Sequence, residues 1–201
     1  MIKAITFDLD GVYFPNGKGN FIKALGKLGV SEDEAKRVFL KSDQMNRVYK
    51  IGKMTDEEFW SWAAKEWKLQ KTPQELIDLL ISSYDVDDRV VATVKNVRVS
   101  GYKALVCSSN FPARVNGLQQ KFSFLDNFDT AVFSYEVGAN KPSERIFQEL
   151  INRAGVPAET IVFADDHADN LGEAKQLGIT TFLYKDFNKF IDQLKNLGVK
   201  L

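Results

Sequence analysis

The chain has very little cysteine and no long apolar segment. Its 201 residues include a single cysteine, Cys107, which excludes an intramolecular disulfide framework. No apolar run reaches the roughly 18 residues that a membrane-spanning helix needs, and the opening MIKAITFDLD lacks the apolar stretch of a signal peptide. We therefore expect a soluble, cytoplasmic protein with no membrane partner.

An excess of one charge is also lacking. Lysine and arginine together number 27, aspartate and glutamate also number 27, and the basic residues form no stripe. This balance argues against a nucleic acid or an anionic lipid surface as the partner. The length suits one core domain with a smaller accessory domain, and no pattern in the sequence indicates an oligomeric state.

Short apolar segments alternate with amphipathic segments from about residue 101 onward, and a similar apolar segment opens the chain. This alternation is typical of βαβ units, whose parallel strands are buried on both faces. The predicted fold class is therefore α/β, a Rossmann-like doubly wound parallel sheet. The predicted strands cover 3–9, 102–109, 130–134, 160–165 and 179–184, and the predicted helices cover 87–100, 112–122, 143–155, 168–178 and 187–197.

The segment between the first strand and the rest of the sheet lacks strand-like runs and contains repeated helix starts. Ser31, Thr55 and Thr72 are each followed three residues later by a glutamate, which is the spacing of a capping box. We therefore predict a small all-helical cap inserted after the first strand. The predicted boundaries are 16–85 for the cap, and 1–15 together with 86–201 for the α/β core.

Polar and charged side chains follow four of the predicted strands. Ligands of open parallel sheets bind outside the carboxyl ends of the strands, so these side chains are predicted to share one site. Each motif alone has a simpler interpretation, because such residues often cap a helix or lie in solvent. The residues are Asp8 and Asp10 before Gly11, Ser109 and Asn110, Lys141, and Asp165 with Asp166.

The acidic residues in this set require a positive charge among them. Buried carboxylates without a partner are costly, and neighbouring carboxylates repel each other. Asp8 and Asp10 are two residues apart, so in an extended chain their side chains point the same way. Carboxylate oxygens suit Mg²⁺, which commonly works beside phosphate. The sequence predicts a Mg²⁺ ion that bridges the acids to a phosphate group, with Ser109 and Lys141 holding that group from the other side.

These motifs resemble those of the haloacid dehalogenase-like superfamily of phosphohydrolases, and the resemblance covers nearly the whole chain. It is carried by Asp8-Leu9-Asp10-Gly11-Val12, by Ser109 at the end of ALVCSS, by Lys141 in GANKPSERIF, and by Asp165-Asp166 in VFADDHADNLGEAKQLG. The segment IGKMTDEEFW at 51–60 is more loosely similar to caps of the subgroup with sugar-phosphate phosphatases and the phosphatase domain of soluble epoxide hydrolases.

The resemblance implies a covalent mechanism. Asp8 would be the nucleophile that forms an aspartyl-phosphate, and Asp10 would protonate the leaving alcohol and later deprotonate the attacking water. Ser109, with Asn110, would hold phosphate oxygens. Lys141 would offset negative charge on Asp8 and on the phosphoryl group.

The resemblance also implies a metal site for Mg²⁺. Asp8 and Asp166 would bind the ion directly, Asp165 would support Asp166, and Asp10 would contribute its backbone carbonyl. The expected substrate is a small phosphorylated metabolite such as a sugar phosphate; a phosphorylated lipid would need an apolar slot, and the sequence does not choose between the two.

Three alternatives remain at this stage. A phosphomutase of the β-phosphoglucomutase type shares the same residues and differs in what accepts the phosphoryl group. Dehalogenation of a 2-haloacid is disfavoured by Asp10 and by the Asp165-Asp166 pair, and a receiver-like signalling domain is disfavoured because the proposed nucleophile follows the first strand. Specificity would come from the cap, where Met45, Arg47 and Tyr49 are candidates for its inner face.

Overall fold

The core of the protein is a five-stranded parallel sheet. The computed structural model describes residues 1–201. The strand order is β3-β2-β1-β4-β5, so the chain builds outward from β1 first on one side and then on the other. The predicted doubly wound α/β fold is confirmed. The strands are β1 (Ala4–Phe7), β2 (Lys103–Ser108), β3 (Thr130–Phe133), β4 (Ile161–Asp165) and β5 (Thr180–Leu183).

Helices cover the sheet and fill the chain between β1 and β2. The predicted core helices are all present, and each ends within a few residues of its expected position. The helices are α1 (Gly17–Lys27), α2 (Glu32–Lys36), α3 (Asp56–Glu66), α4 (Pro73–Ser82), α5 (Asp88–Val99), α6 (Pro112–Phe122), α7 (Ser134–Val137), α8 (Glu144–Ala154), α9 (Leu171–Gln176) and α10 (Phe187–Asn196).

Both faces of the sheet are buried, which explains why its strands are apolar at almost every position. Alternate residues of a strand point to opposite faces. On β1, Ile5 belongs to a core shared with Phe190 of α10, while Ala4 belongs to a second core shared with Phe147 of α8. Cys107 is buried in the second core. The sheet is therefore held from both sides, and its strand ends are fixed.

The residues between β1 and α5 form no strand. Besides α1–α4 they include two turns of π-helix, Arg37–Lys41 and Gln44–Tyr49. Thr55 and Thr72 form complete capping boxes, whereas Ser31 accepts from the Glu34 N–H without the reciprocal bond. The Glu34 carboxylate instead accepts a hydrogen bond from Arg37. The division into a cap and a core domain stays a prediction.

Backbone atoms of this helical segment are bonded to the residues that follow the strands. The Ser134 hydroxyl donates to the carbonyl oxygen of Lys50 at 2.6 Å, and the Asn140 side-chain amide donates to the carbonyl oxygen of Asn46. The segment is therefore fixed to the chain that follows the carboxyl end of β3. None of the helices has the length and the apolar character that a bilayer crossing demands.

Candidate active site

Asp8 and Asp10 follow β1 in a tight turn and line one cavity. The Phe14 N–H donates to the Leu9 carbonyl at 2.8 Å, and the Gly11 N–H donates to the Phe14 carbonyl at 3.1 Å. The cavity lies outside the carboxyl end of β1, where the chain direction across the sheet reverses. This is the position at which sheets of this type bind ligands.

Gly11 is required by the backbone and by its neighbour. Its φ is +82°, a conformation that favours glycine. A Cβ atom at this position would overlap the carboxylate of Asp166. The glycine thus allows the loop after β4 to approach the loop after β1.

Lys141 lies between two of the predicted acids. Its Nζ atom is 2.9 Å from Oδ1 of Asp8 and also pairs with Oδ2 of Asp165. All three side chains are buried. Burial raises the pKa of Asp8 despite the opposing effect of Lys141. Burial alone would lower the pKa of Lys141, but Asp8 and Asp165 outweigh it and raise that pKa. The site therefore holds a permanently charged ammonium group beside Asp8.

Three acids form a group suited to a hard cation. One carboxylate oxygen from each of Asp8, Asp165 and Asp166 lies within 4.8 Å of the other two. Asp166 Oδ1 is buried and has no hydrogen-bond partner, and burial raises the pKa of this carboxyl. An all-oxygen set with one unpartnered oxygen fits Mg²⁺.

Asp165 and Asp166 differ in burial and in their hydrogen-bond partners. Asp165 is fully buried, and its oxygens accept from the His167 N–H at 2.8 Å and from the Asn170 side chain at 3.0 Å. Asp166 is half-buried and accepts no such bonds. Asp166 is thus free to bind an ion, while Asp165 is already oriented by its neighbours.

The Asp10 carboxylate lies outside the group of three acids. Its Oδ2 is 2.8 Å from Nη2 of Arg114 and 3.4 Å from Nζ of Lys18, and its Oδ1 accepts from the Tyr84 hydroxyl at 3.1 Å. Burial alone would raise the pKa of Asp10, but Arg114, Lys18 and Lys50 lower it to about 2. The expected metal contact of Asp10 through its backbone carbonyl stays a prediction, and the structure gives its side chain other partners.

Ser109 and Asn110 follow β2 but face different surroundings. Ser109 lines the cavity, and its hydroxyl accepts from the Lys141 backbone N–H at 3.0 Å. The side-chain oxygen of Asn110 instead accepts from Arg114 at 2.6 Å, and its backbone N–H donates to Ser134. Asn110 is not among the residues that line the cavity. A contact between Asn110 and the phosphate group therefore stays a prediction.

The cavity has a volume of about 310 Å³ and no hydrophobic residue in its lining. Asn46 and Lys50 enter it from the helical segment. The other lining residues are Asp8, Asp10, Lys18, Ser108, Ser109, Asn140, Lys141, His167 and Asn170.

The prediction that Met45, Arg47 and Tyr49 lie on the inner face of the cap is wrong. Met45 and Tyr49 are completely buried in the apolar core, and Arg47 is exposed and paired with Asp43. None of the three lines the cavity. Their neighbours Asn46 and Lys50, four residues apart, do so instead.

Arg114 is the residue of the site that sequence reasoning missed most clearly. It is 1% exposed, and besides Asp10 it contacts Asn110 and donates to the Tyr84 hydroxyl at 2.9 Å. The signal was present, because Arg114 precedes the buried Leu118 by four residues on α6. A charged residue on the apolar face of a helix indicates a buried partner.

The chain thus places paired carboxylates and a lysine at the strand ends of a parallel sheet. The family model described as haloacid dehalogenase-like hydrolase matches residues 2–178. The chain belongs to this family, and the expected family is confirmed.

Two phosphatases are similar in sequence to most of this chain, and a solved family enzyme is similar in structure. The D-ribitol-5-phosphate phosphatase of Bacteroides thetaiotaomicron is 27% identical over 90% of this chain and 91% of its own length. The glyceraldehyde 3-phosphate phosphatase of Methanopyrus kandleri is 23% identical over 90% of this chain and 83% of its own length. A family enzyme from Bacteroides thetaiotaomicron, solved with magnesium and inorganic phosphate, superposes with a TM-score of 0.78 at 21% identity, covering 94% of this chain and 99% of its own.

Proposed function

We propose that this protein is a Mg²⁺-dependent phosphatase that hydrolyses a small, polar phosphate ester, with a sugar or polyol phosphate as the favoured class. The observation that carries the proposal is the cavity itself. It joins Asp8, Asp10 and Lys141 in about 310 Å³ of space without a single hydrophobic lining residue. A phosphorylated lipid would need an apolar slot, so the lining favours a hydroxyl-rich leaving group.

Asp8 is the proposed nucleophile. Its carboxylate oxygen attacks phosphorus, the bond from phosphorus to the leaving oxygen breaks, and an aspartyl-phosphate forms on the protein. Lys141, 2.9 Å from Asp8, offsets the negative charge of both partners. Without that ammonium group, the carboxylate and the phosphoryl oxygens would repel each other.

Asp10 is the proposed acid and base. With a pKa of about 2 it is ionised in the free protein, which is the form that takes a proton from the attacking water in the second step. In the first step it must deliver a proton to the leaving oxygen. A dianionic phosphoryl group beside Asp10 raises its pKa, so proton uptake accompanies substrate binding.

Asp8, Asp166 and the supporting Asp165 are the residues that would hold Mg²⁺. When bound, the ion would neutralise phosphoryl oxygens and orient the substrate. The similar proteins support this proposal, because two of them are named as phosphatases and a structural neighbour contains magnesium with phosphate.

Hydrolysis of p-nitrophenyl phosphate with and without Mg²⁺, followed by a panel of sugar, polyol and lipid phosphates, tests the proposal. We expect Mg²⁺-dependent phosphate release, and faster release from polyol phosphates than from lipid phosphates. A phosphomutase would instead need a second sugar hydroxyl as the acceptor. Absence of phosphate release from every compound in Mg²⁺ would contradict the proposed function.

A further inference from the structure

Lys50 is a lysine of the cavity without a carboxylate partner. It reaches the cavity from the end of the π-helical turn Gln44–Tyr49. The hydrogen bond of its Nζ atom goes to the side-chain oxygen of Asn46 at 3.1 Å, and no carboxylate oxygen lies within ion-pair distance. By contrast, Lys18 and Lys141 both contact acids of the site. An ammonium group in this state is free to donate a bond to an anionic ligand.

The position of Lys50 is fixed by its backbone. Its N–H donates to the Met45 carbonyl at 3.0 Å, and its carbonyl oxygen accepts from the Ser134 hydroxyl at 2.6 Å. The side chain is half-buried. With its backbone held, its side chain half-buried and its Nζ atom bonded to Asn46, Lys50 loses less freedom on binding a ligand than a fully solvated lysine would.

The charges of the site fall into two halves. In one half, the carboxylates of Asp8, Asp165 and Asp166 face the single ammonium group of Lys141. Three negative charges against one positive charge leave an excess of two negative charges. A divalent cation matches that excess.

In the other half, the Asp10 carboxylate is surrounded by cations. Arg114 and Lys18 contact it, and Lys50 is close enough to lower its pKa. Three positive charges against one negative charge leave an excess of two positive charges when Lys50 is protonated. The charge of a phosphoryl dianion matches that excess, whereas a substrate with one further anionic group would exceed it.

We propose that the Lys50 ammonium group binds the transferring phosphoryl dianion, as a second lysine of the site beside Lys141. This inference rests on the proposed function and assigns that binding to a residue of the helical segment. It predicts that Lys50 contributes to the binding of every phosphate ester and of inorganic phosphate, independently of the leaving group.

Protonation of Lys50 is expected to accompany this binding. Burial lowers the pKa of Lys50 to about 7, aided by the charges of Lys18 and Arg114 and opposed by those of Asp10 and Asp8. An anion beside Lys50 adds negative charge and raises its pKa. Near pH 8, the free protein therefore takes up a proton at Lys50 when the anion binds.

Calorimetric titration of the Mg²⁺-loaded full chain with inorganic phosphate tests the inference. Titrations at pH 8 in two buffers of different ionisation enthalpy measure both affinity and proton uptake. We expect Lys50→Met to weaken phosphate binding by about 10-fold or more, because it removes a charge-assisted bond. The part of the proton uptake that occurs at Lys50 in the wild type should be absent from this variant.

Two further variants separate a binding role from a structural one. Lys50→Arg keeps the charge at pH 8, so it should retain most of the affinity but lose the same share of proton uptake. Lys53→Met changes an exposed lysine outside the cavity and should behave like the wild type. Circular dichroism establishes that each variant is folded.

The outcomes distinguish this inference from the proposed function. If the wild type hydrolyses p-nitrophenyl phosphate while Lys50→Met binds phosphate with unchanged affinity and proton uptake, the inference alone fails. The inference also fails by itself if Lys50→Met changes the KM of sugar phosphates but not the binding of inorganic phosphate, since Lys50 then contacts the leaving group. If the wild type neither hydrolyses nor binds phosphate, the proposed function itself fails.

Discussion

The Nη2 atom of Arg114 lies 2.8 Å from Oδ2 of Asp10, and both side chains are almost completely buried. Because both charges are largely removed from water, each is stabilised mainly by its partners in the protein. The pair connects helix α6 to the turn after β1, which carries the proposed acid and base. Its removal therefore affects both stability and the position of Asp10.

We expect Arg114→Met to lower the free energy of unfolding by about 3 kcal/mol or more, because Asp10 would remain buried without its shortest ion pair, with only the partly exposed Lys18 and the more remote charge of Lys50 as cations. Urea denaturation measures the change. The matched control is Arg98→Met, which breaks the exposed pair with Asp129 and should cost less than about 1 kcal/mol. Equal losses in the two variants would show that the buried pair has no special importance.

Substitution of the two turn aspartates should give different kinetic results. We expect Asp8→Asn to reduce p-nitrophenyl phosphate turnover by at least about a thousandfold, because the nucleophile is lost. Asp10→Asn should reduce it by about 10²–10⁴-fold and can leave a trapped phosphoenzyme. Mass spectrometry detects that adduct.

Asp169→Asn is the control for both substitutions, because Asp169 is exposed and follows β4 outside the cavity. It should retain wild-type turnover. Wild-type turnover by Asp8→Asn would rule out the covalent role of Asp8.

Asp166 is expected to dominate metal binding. Its unpartnered Oδ1 makes it the open ligand of the acidic group, so Asp166→Asn should raise the Mg²⁺ concentration needed for half-maximal thermal stabilisation by about 10-fold or more. Melting temperatures measured across a Mg²⁺ series give this concentration without any activity assay. If Asp166→Asn leaves this Mg²⁺ concentration unchanged, the ion does not bind at Asp166.

Gly11→Ala should disturb the metal site through contact as well as backbone strain. The new Cβ would overlap the Asp166 carboxylate at a φ of +82°, so we expect a loss of about 2 kcal/mol in stability and weaker Mg²⁺ binding. Gly138→Ala is the control. Gly138 has a similar φ of +74°, but a Cβ atom there would lie 3.7 Å from Nη1 of Arg145, its nearest neighbour. The substitution should therefore lower the free energy of unfolding by only about 1 kcal/mol and leave Mg²⁺ binding unchanged.

Lys50 should destabilise the metal-free, substrate-free protein in a pH-dependent manner. Its pKa is about 7 in the folded protein and about 10.4 in the unfolded chain, so protonation favours the unfolded state. The destabilisation is complete below pH 7 and is lost as the pH rises from 7 to about 10.4. We expect Lys50→Met to raise the free energy of unfolding by about 1–2 kcal/mol at pH 6, discounted for partial exposure, and by much less at pH 10.

Denaturation at both pH values provides the measurement, with Lys53→Met as the reference for a neutral surface change. A gain that is the same at pH 6 and pH 10 would mean that packing, and not charge, explains it.

The sheet and its helices could be predicted because they follow from local pattern. Strands such as β2 are continuously apolar since both of their faces are buried, and helix α8 ends where Gly155 takes a positive φ. The strand ends then identified Asp8, Asp10, Ser109, Lys141, Asp165 and Asp166, because parallel strands bring their carboxyl ends to one edge.

The lining of the cavity from the helical segment could not be predicted in the same way. The candidates Met45, Arg47 and Tyr49 are every second residue, whereas residues 44–49 form a π-helical turn that directs Met45 and Tyr49 into the apolar core and Arg47 to solvent. The rotation of such a turn about its axis is set by tertiary packing. The role of Arg114 likewise depends on the approach of Tyr84 from far along the chain.

The hydrogen bonds that fasten the helical segment to the strand ends terminate on the carbonyl oxygens of Asn46 and Lys50, whose side chains line the cavity. Main-chain oxygens are present whatever amino acid occupies a position. A substitution at 46 can therefore alter the substrate preference, and one at 50 the affinity for phosphate, while the main-chain attachment of the helical segment is retained, so ligand recognition can diverge among related chains through single codon changes.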